Sequence, residues 1–118
     1  MKIRLLSVGR PRKDILEITQ DYIQRASKMF PVEHLWVKDG GGTSREGERL
    51  LNASNGKIIL LTRKGKKISS IDLAKTVQDA LLMSTDLTFI IGGADGVSRE
   101  VATKARDKIS VSSMIHKQ

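Results

Sequence analysis

The stretch "DLTFIIGGADGVSRE", residues 86–100, decides the fold of this chain. Its β-branched and apolar run over residues 86–91 predicts a buried strand. Gly92, Gly93 and Gly96 then follow, and Ser98 stands where a helix would be capped. A strand that only packed a core would not need three glycines at its exit, so the pattern indicates a sharp turn whose backbone approaches another group closely. A strand-to-helix turn without any ligand explains the glycines about equally well at this point.

Strands and helices alternate along the rest of the chain as well. The five predicted strands cover residues 2–8, 33–38, 57–61, 86–91 and 109–114. Strands separated by helical segments are typical of parallel sheets. We therefore expect an α/β fold, with a largely parallel sheet flanked by helices, in a single domain over residues 1–118.

The helices between these strands are predicted from apolar spacing and from capping signals. Thr43 with Glu46, and Ser69 with Asp72, have the spacing of a capping box, and Ser98 is a third candidate cap. The apolar positions expected to face the core are Ile15, Ile18, Tyr22, Ala26 and Met29 in the first helix, Leu73, Val77, Ala80 and Leu81 in the third, and Val101, Ala102 and Ala105 in the last.

Composition narrows the class of partner. The 118 residues include 21 Lys and Arg against 13 Asp and Glu, for a formal charge of +8, and contain no cysteine. A basic surface suits an anionic partner such as nucleic acid, although general solubility is an alternative. The absence of cysteine excludes disulfides and thiolate chemistry and favours the cytoplasm. No apolar run approaches the roughly 18 residues of a membrane span, and the first ten residues turn polar too early for a secretory signal.

Familiar nucleotide motifs do not fit the glycine turn. The P-loop pattern is absent, and G-G-x-x-G has the wrong spacing for a dinucleotide fingerprint. The two histidines and the scattered acids lack the spacing of metal ligands, so no metal site is expected. Trp36, in a chain with few aromatic residues, is expected to be buried rather than to stack on a base. His34 is expected to be structural.

Two clusters of basic residues are candidate RNA contacts. The first follows the first strand, and the second follows the third strand, where ligands of open parallel sheets gather. Their alternative interpretation is a solvated basic loop, which the sequence favours about equally. The candidates for RNA-phosphate contact are Arg10, Arg12, Lys13, Arg63, Lys64, Lys66 and Lys67.

Three segments together resemble one known family. "MKIRLLSVGR" at the start, the strand into "LLTRKGK", and "FIIGGADGVS" followed by "KISVSSM" are similar in order and spacing to the bacterial ribosomal RNA large subunit methyltransferase H family, a branch of the SPOUT methyltransferases. The resemblance implies a fold with a C-terminal trefoil knot. It also implies a cytoplasmic homodimer that uses S-adenosylmethionine to methylate N3 of a pseudouridine in ribosomal RNA of the large subunit.

The same resemblance implies a set of cofactor-binding positions. Leu61 would border the cofactor at the end of the third strand, and Gly92 and Gly93 would present backbone to it. The start of the family's last cofactor-binding loop matches Ser112, Ser113, Met114 and Ile115. No residue of this chain stands out as a catalytic base, so the catalytic residues are left unassigned.

The C-terminal end departs from the family pattern. The family continues with a Pro-His pair, an Arg and a long helix, whereas this chain reads "SSMIHKQ" to Gln118. We therefore expect a C-terminally short domain whose knot is incomplete, and a dimer weakened by the lack of that helix. A non-catalytic RNA- or cofactor-binding module on the same scaffold, or a truncated inactive fragment, would give the same sequence pattern.

Overall fold

A computed structural model describes residues 1–10, 13–28, 30–62, 65–92, 96–105 and 107–110. The chain alternates strictly between strands and helices within these ranges. In chain order the elements are β1 (Ile3–Val8), α1 (Lys13–Ser27), β2 (Val32–Val37), α2 (Gly42–Ala53), β3 (Lys57–Thr62), α3 (Ser70–Leu82), β4 (Leu87–Ile91), α4 (Arg99–Lys104) and β5 (Asp107–Ser110).

The five strands form one parallel sheet in the order β2-β1-β4-β3-β5. The connections through α1 and α3 move in one direction across the sheet, and those through α2 and α4 move in the other. A common handedness of the crossovers then requires the two pairs of helices to cover opposite faces. The packing agrees, since α1 contacts α3 and α2 contacts α4. The expected α/β fold with a parallel sheet is confirmed.

Each face of the sheet has its own aliphatic core. The face covered by α1 and α3 buries Leu5, Phe89 and Leu61 together with Ile23 and Leu73 from the helices. The opposite face buries a smaller set around Leu6, Ile90, Leu50 and Val101. Because both faces are covered, the central strands β1, β4 and β3 bury consecutive residues on both faces, instead of alternating between buried and exposed positions.

Two of the three predicted helix caps are confirmed. The Ser69 side chain accepts a hydrogen bond from the Asp72 amide at 3.1 Å, and Ser98 accepts one from Val101 at 3.2 Å. The predicted capping box of Thr43 and Glu46 is wrong. Helix α2 begins at Gly42 after Gly41, whose φ of 86° lies in the left-handed region, and its first turn has no side-chain cap.

Glu46 instead stabilises the loop that precedes the helix. Its carboxylate accepts a hydrogen bond from the Gly40 amide at 2.9 Å. Gly47, which weakens the sequence-based prediction of this helix, is explained by packing between helices. A Cβ at Gly47 would overlap the hydroxyl of Ser98 and lie 2.8 Å from the Ser98 Cβ. The glycine therefore allows α2 to pack closely against the start of α4.

The inward faces of two helices differ in part from the prediction. Among the side chains of α1 that the structure describes, Ile23 is a fully buried apolar residue that the predicted face omits, and Thr19 and Ser27 are buried as well. The side chains of Ile15 and Met29, which the prediction includes, lie outside the described part of the chain. Tyr22 and Ala26 pack against this core as expected. In α3, Leu81 is 44% exposed, so its place on the buried face was wrong.

Strand β5 occupies Asp107–Ser110, so it begins two residues before the predicted span of 109–114 and shares residues 109 and 110 with it. Residues 111–114 of that span lie outside the described residues. The prediction of an incomplete knot depends on residues 111–118, which lie outside the described residues, and it stays a prediction. No helix in the described part of the chain is long and apolar enough to cross a lipid bilayer.

Candidate functional site at the carboxyl ends of the strands

The carboxyl ends of all five strands meet along one edge of the sheet, and the register defines a row of residues just before that edge. Ser7 of β1 is the partner of Trp36 on one side and of Ile91 on the other. Leu61 pairs with Ile91 and with Ile109. Ligands of open parallel sheets bind beyond such a row. The row, in sheet order, is Trp36, Ser7, Ile91, Leu61 and Ile109.

Leu61 and Gly92, two of the predicted cofactor-binding residues, come together at the centre of this row. Gly92 directly follows Ile91, the cross-strand partner of Leu61. The Leu61 side chain is packed into the core, whereas Thr62, Ile91 and Gly92 are half-buried. None of these four residues is charged. Gly93, Ser112, Ser113, Met114 and Ile115 lie outside the described residues.

The chain itself explains why residue 92 is a glycine. A Cβ there would lie 2.8 Å from Cγ1 of Val97 and 3.2 Å from the carbonyl oxygen of Gly96. Gly96 has a φ of 83°, a backbone conformation that disfavours side chains. Gly96 and Val97 therefore lie against the end of β4. This close approach accounts for Gly92, and the left-handed backbone accounts for Gly96, without a ligand.

The loop after β3 closes the outer edge of β5. Lys66 forms a parallel bridge with Ile109: its amide donates to the Lys108 carbonyl at 2.9 Å, and its carbonyl accepts from the Ser110 amide at 2.9 Å. Successive backbone groups of a strand point to opposite sides. Strand β5 therefore lies between β3 on one side and Lys66 on the other.

Gly65 makes this arrangement possible. A Cβ at Gly65 would lie 2.5 to 2.8 Å from the backbone atoms of Ile109. Any side chain would thus push the loop away from β5. The basic loop is expected from the sequence to contact RNA. The pairing of Lys66 with β5 shows that the loop also has a structural role, which the sequence did not predict.

The described basic residues lie on both sides of the central pair Leu61 and Gly92. Arg10 follows β1, Lys13 begins α1, and Lys66 and Lys67 lie beyond β5, all four exposed. Four strand spacings of about 4.8 Å separate the end of β1 from the Lys66 segment, or about 19 Å. The two clusters therefore flank the centre of the row instead of forming one patch. Arg12, Arg63 and Lys64 lie outside the described residues.

The expectation that Trp36 is buried was wrong. Its side chain is 51% exposed, on the edge strand β2, and the guanidinium carbon of Arg10 lies 5.0 Å from its ring centroid. Burial and exposure of a tryptophan on a strand cannot be distinguished by hydrophobicity, because the strand order that places β2 at the edge is a property of the whole sheet. The exposed ring adds an aromatic group to the candidate site.

His34 supports this end of the row. Its Nε2 lies 3.2 Å from the hydroxyl oxygen of the buried Ser7, and its ring centroid is 5.9 Å from that of Trp36. Burial lowers the pKa of His34 below 6.5 by removing the imidazolium from water. His34 lies on β2, three strand positions away from Leu61, and is therefore remote from the centre of the row.

Comparison with known proteins agrees with this geometry. The model of a family described as predicted SPOUT methyltransferase matches residues 1–117. Ribosomal RNA large subunit methyltransferase H of Thermodesulfovibrio yellowstonii is 36% identical over 107 residues, which cover 86% of this chain and 70% of the relative. The proteins of the same name from Nitrosomonas eutropha and Francisella philomiragia are 30% and 31% identical, and both alignments cover 97% of this chain and 81% of the relative.

The match to the family model covers nearly the whole sequence, and it coincides with a parallel α/β sheet whose carboxyl edge carries an uncharged centre between basic flanks. The resemblance deduced from the three sequence segments is thereby confirmed. The chain belongs to the family of the ribosomal RNA large subunit methyltransferase H proteins, within the SPOUT methyltransferases.

Proposed function

We propose that this protein transfers a methyl group from S-adenosylmethionine to ribosomal RNA of the large subunit, at N3 of a pseudouridine. The observation that carries the proposal is the family match over residues 1–117, together with the uncharged centre of the row between two basic flanks. The resemblance further implies that the enzyme works in the cytoplasm as a homodimer.

The described residues at the centre of the row fit the cofactor in character. S-adenosylmethionine carries a positive sulfonium, which a neighbouring Lys or Arg would repel, and an adenine, which needs apolar surface. The half-buried Ile91 supplies apolar surface, Thr62 and Gly92 supply backbone groups without charge, and the buried Leu61 lies beneath them. We assign the cofactor to these residues and, by resemblance, to Gly93 and Ser112 through Ile115. Bound S-adenosylmethionine would supply an electrophilic methyl group.

The protein's own contribution is to hold and orient the RNA base. The arrangement of exposed cations on both sides of the centre suits a polyanion that crosses the carboxyl edge of the sheet. Correct positioning of two reactants supplies a large share of the rate enhancement in such transfers. N3 of the base must also lose its proton. His34 is too far from the centre to accept it, and we assign no catalytic base.

The direct test is methyl transfer from radiolabelled S-adenosylmethionine to two substrates. One is the large ribosomal subunit from a strain that lacks its own methyltransferase H; the other is the same RNA transcribed in vitro, which contains uridine instead of pseudouridine. We expect transfer to the first and not to the second. Equal transfer to both would reject the pseudouridine assignment. No transfer to either, with RNA binding retained, would favour a non-catalytic RNA-binding module.

A further inference from the structure

Trp36 is an aromatic side chain on the exposed surface of the edge strand β2. It is the single tryptophan in the sequence, and about half of it is exposed. Its neighbour Leu35 is also exposed but points to the opposite face of the strand, because successive side chains alternate. A single exposed apolar side chain is common on protein surfaces, so the case for a binding site at Trp36 depends on the groups that surround its ring.

The ring is held in place by its neighbours. Arg10 lies over the ring at 5.0 Å, and the His34 ring lies 5.9 Å away at an angle of 36°. His34 is in turn fixed by its contact with the buried hydroxyl of Ser7. Among the residues that the structure describes, no carboxylate forms an ion pair with Arg10. The planar guanidinium and the indole therefore form a preorganised aromatic and cationic surface.

The charge around Trp36 indicates the class of partner. Lys38 is exposed two residues after Trp36, and Arg49 stabilises the following loop through hydrogen bonds to the Lys38 and Gly40 carbonyls at 2.7 and 2.8 Å. Asp39 is the acidic residue of this loop, and its Cβ lies beside Gly9. Cations around an exposed aromatic ring are the features with which proteins bind single-stranded nucleic acid.

We propose that Trp36 and Arg10 form a stacking site for an unpaired base of single-stranded RNA. The stacking site does not require methyl transfer. It rests on the proposed function for the identification of the RNA as ribosomal RNA and for its distance from the methylated nucleotide. Trp36 lies three strand spacings from Leu61 in the same row, or about 14 Å. At about 3.4 Å per stacked nucleotide, four nucleotides span that distance. With the cofactor at the centre of the row, as proposed above, the stacked base lies about four nucleotides from the methylated nucleotide and is not that nucleotide itself.

The first experiment uses Trp36 as its own reporter. Because the chain has no other tryptophan, its intrinsic fluorescence reports on this site alone. A short single-stranded RNA oligonucleotide should quench the emission, whereas inorganic polyphosphate at the same phosphate concentration should bind without comparable quenching. Equal quenching by both, or none by bound RNA, would overturn the proposal.

The second experiment measures the affinity for fluorescein-labelled RNA by anisotropy. Trp36→Ala should weaken binding about tenfold, which corresponds to one stacked base. Trp36→Phe should retain most of the affinity, and Leu35→Ala, the matched control on the opposite face of β2, should leave it unchanged. Arg10→Lys should weaken binding while the salt dependence stays the same, because the charge remains and the planar group is removed. Equal losses of affinity in Trp36→Ala and Leu35→Ala would contradict the site.

Two further outcomes separate this proposal from its competitors. If the protein binds RNA with Trp36-dependent affinity but transfers no methyl group, the stacking site stands and the proposed function fails. If it transfers methyl groups while Trp36→Ala binds and reacts normally, the stacking site fails and the proposed function stands. Sedimentation of the native protein and of Trp36→Ala tests whether Trp36 instead contacts a second copy of this chain. A shift from dimer to monomer in Trp36→Ala would assign the surface to that interface.

Discussion

The two edges of the sheet are treated in opposite ways. At one edge, the chain folds back so that Lys66 pairs with β5, and Gly65 allows the backbones to approach. At the other edge, no described segment pairs with the outer side of β2, and the strand exposes Leu35 and Trp36. Exposed strand edges are usually protected, because they invite pairing with other chains.

This difference between the two edges indicates which residues contribute to stability and which contribute to binding. The β5 edge depends on backbone contacts that leave no room for a side chain, so substitutions there should affect folding. The β2 edge depends on side chains that contact solvent, so substitutions there should affect recognition and leave stability nearly unchanged. The following variants test whether the β5 edge contributes to stability and the β2 edge to recognition.

The largest effect is expected from Gly65→Ala at the closed edge. The new Cβ would lie within 2.5 to 2.8 Å of the Ile109 backbone, so either the loop or β5 must move. We expect a decrease of about 2–3 kcal/mol in the free energy of unfolding. Urea denaturation followed by circular dichroism measures it. Lys66→Ala is the matched control, since it keeps the backbone bridge and removes only an exposed side chain. An unchanged midpoint for Gly65→Ala would show that this edge is open in solution.

A smaller decrease is expected from Gly92→Ala between the two edges. Its Cβ would contact Val97 at 2.8 Å, and we expect a cost of about 1–2 kcal/mol. Because Val97 is the neighbour in conflict, Gly92→Ala combined with Val97→Ala should cost less than the sum of the two single changes. Strict additivity would contradict the packing explanation. Calorimetry with S-adenosylmethionine then tells whether a folded Gly92→Ala protein also binds the cofactor more weakly.

The next effect is on RNA binding and not on folding. The affinity for RNA should fall with rising salt concentration. Replacing both Lys66 and Lys67 by Ala should make the slope of log affinity against log salt less steep, by about one unit for each RNA phosphate that these lysines neutralise. Lys57 begins β3 at the amino ends of the strands, where its ammonium lies 3.0 Å from the Asp107 carboxylate. Lys57→Ala is therefore a control that removes one positive charge at the end of the sheet opposite to the candidate site. Anisotropy titrations at several salt concentrations measure the slope. An unchanged slope would remove the closed edge from the RNA surface.

The smallest effect is a pH dependence at the open edge. The pKa of His34 is lower in the folded protein than in the unfolded chain, because burial disfavours the imidazolium. As the pH falls below about 6.5, the unfolded chain takes up the proton first, so stability present above this pH is lost below it. Urea midpoints of the native protein and of His34→Gln should converge as the pH falls from 8 to 5. Parallel curves would show that His34 does not contribute.

Local signals in the sequence were reliable where the chemistry is local. Ser69 and Ser98 cap their helices because a hydroxyl three residues before an amide can bond to it in any fold. The alternation of apolar runs and helical stripes was enough to predict the parallel sheet. The pair Thr43 and Glu46 has the same spacing as a cap, but the left-handed backbone of Gly41 starts the helix before Thr43.

Features that depend on strand order could not be predicted in the same way. The exposure of Trp36 follows from the position of β2 at the edge, and nothing in residues 32–37 encodes that position. From the sequence alone, Gly47 weakens a helix and Gly65 belongs to a loop. The reason for each glycine is visible only in the fold, where Ser98 packs against Gly47 and Ile109 packs against Gly65, each more than 40 positions away. Of the candidate site, the sequence predicted the turn at Gly92, and it missed the aromatic surface.

The enclosure of β5 has a consequence for the chain during its synthesis. Lys66 is made 41 positions before Asp107, the first residue of β5. At about 5–20 residues per second, the ribosome needs roughly 2–8 seconds to add them. During that interval the slot between β3 and the Lys66 loop has no strand to hold, and the apolar run KIILLT offers a free edge to the surrounding solution. The late synthesis of β5 therefore prolongs the time during which this edge of β3 has no partner and is open to aggregation.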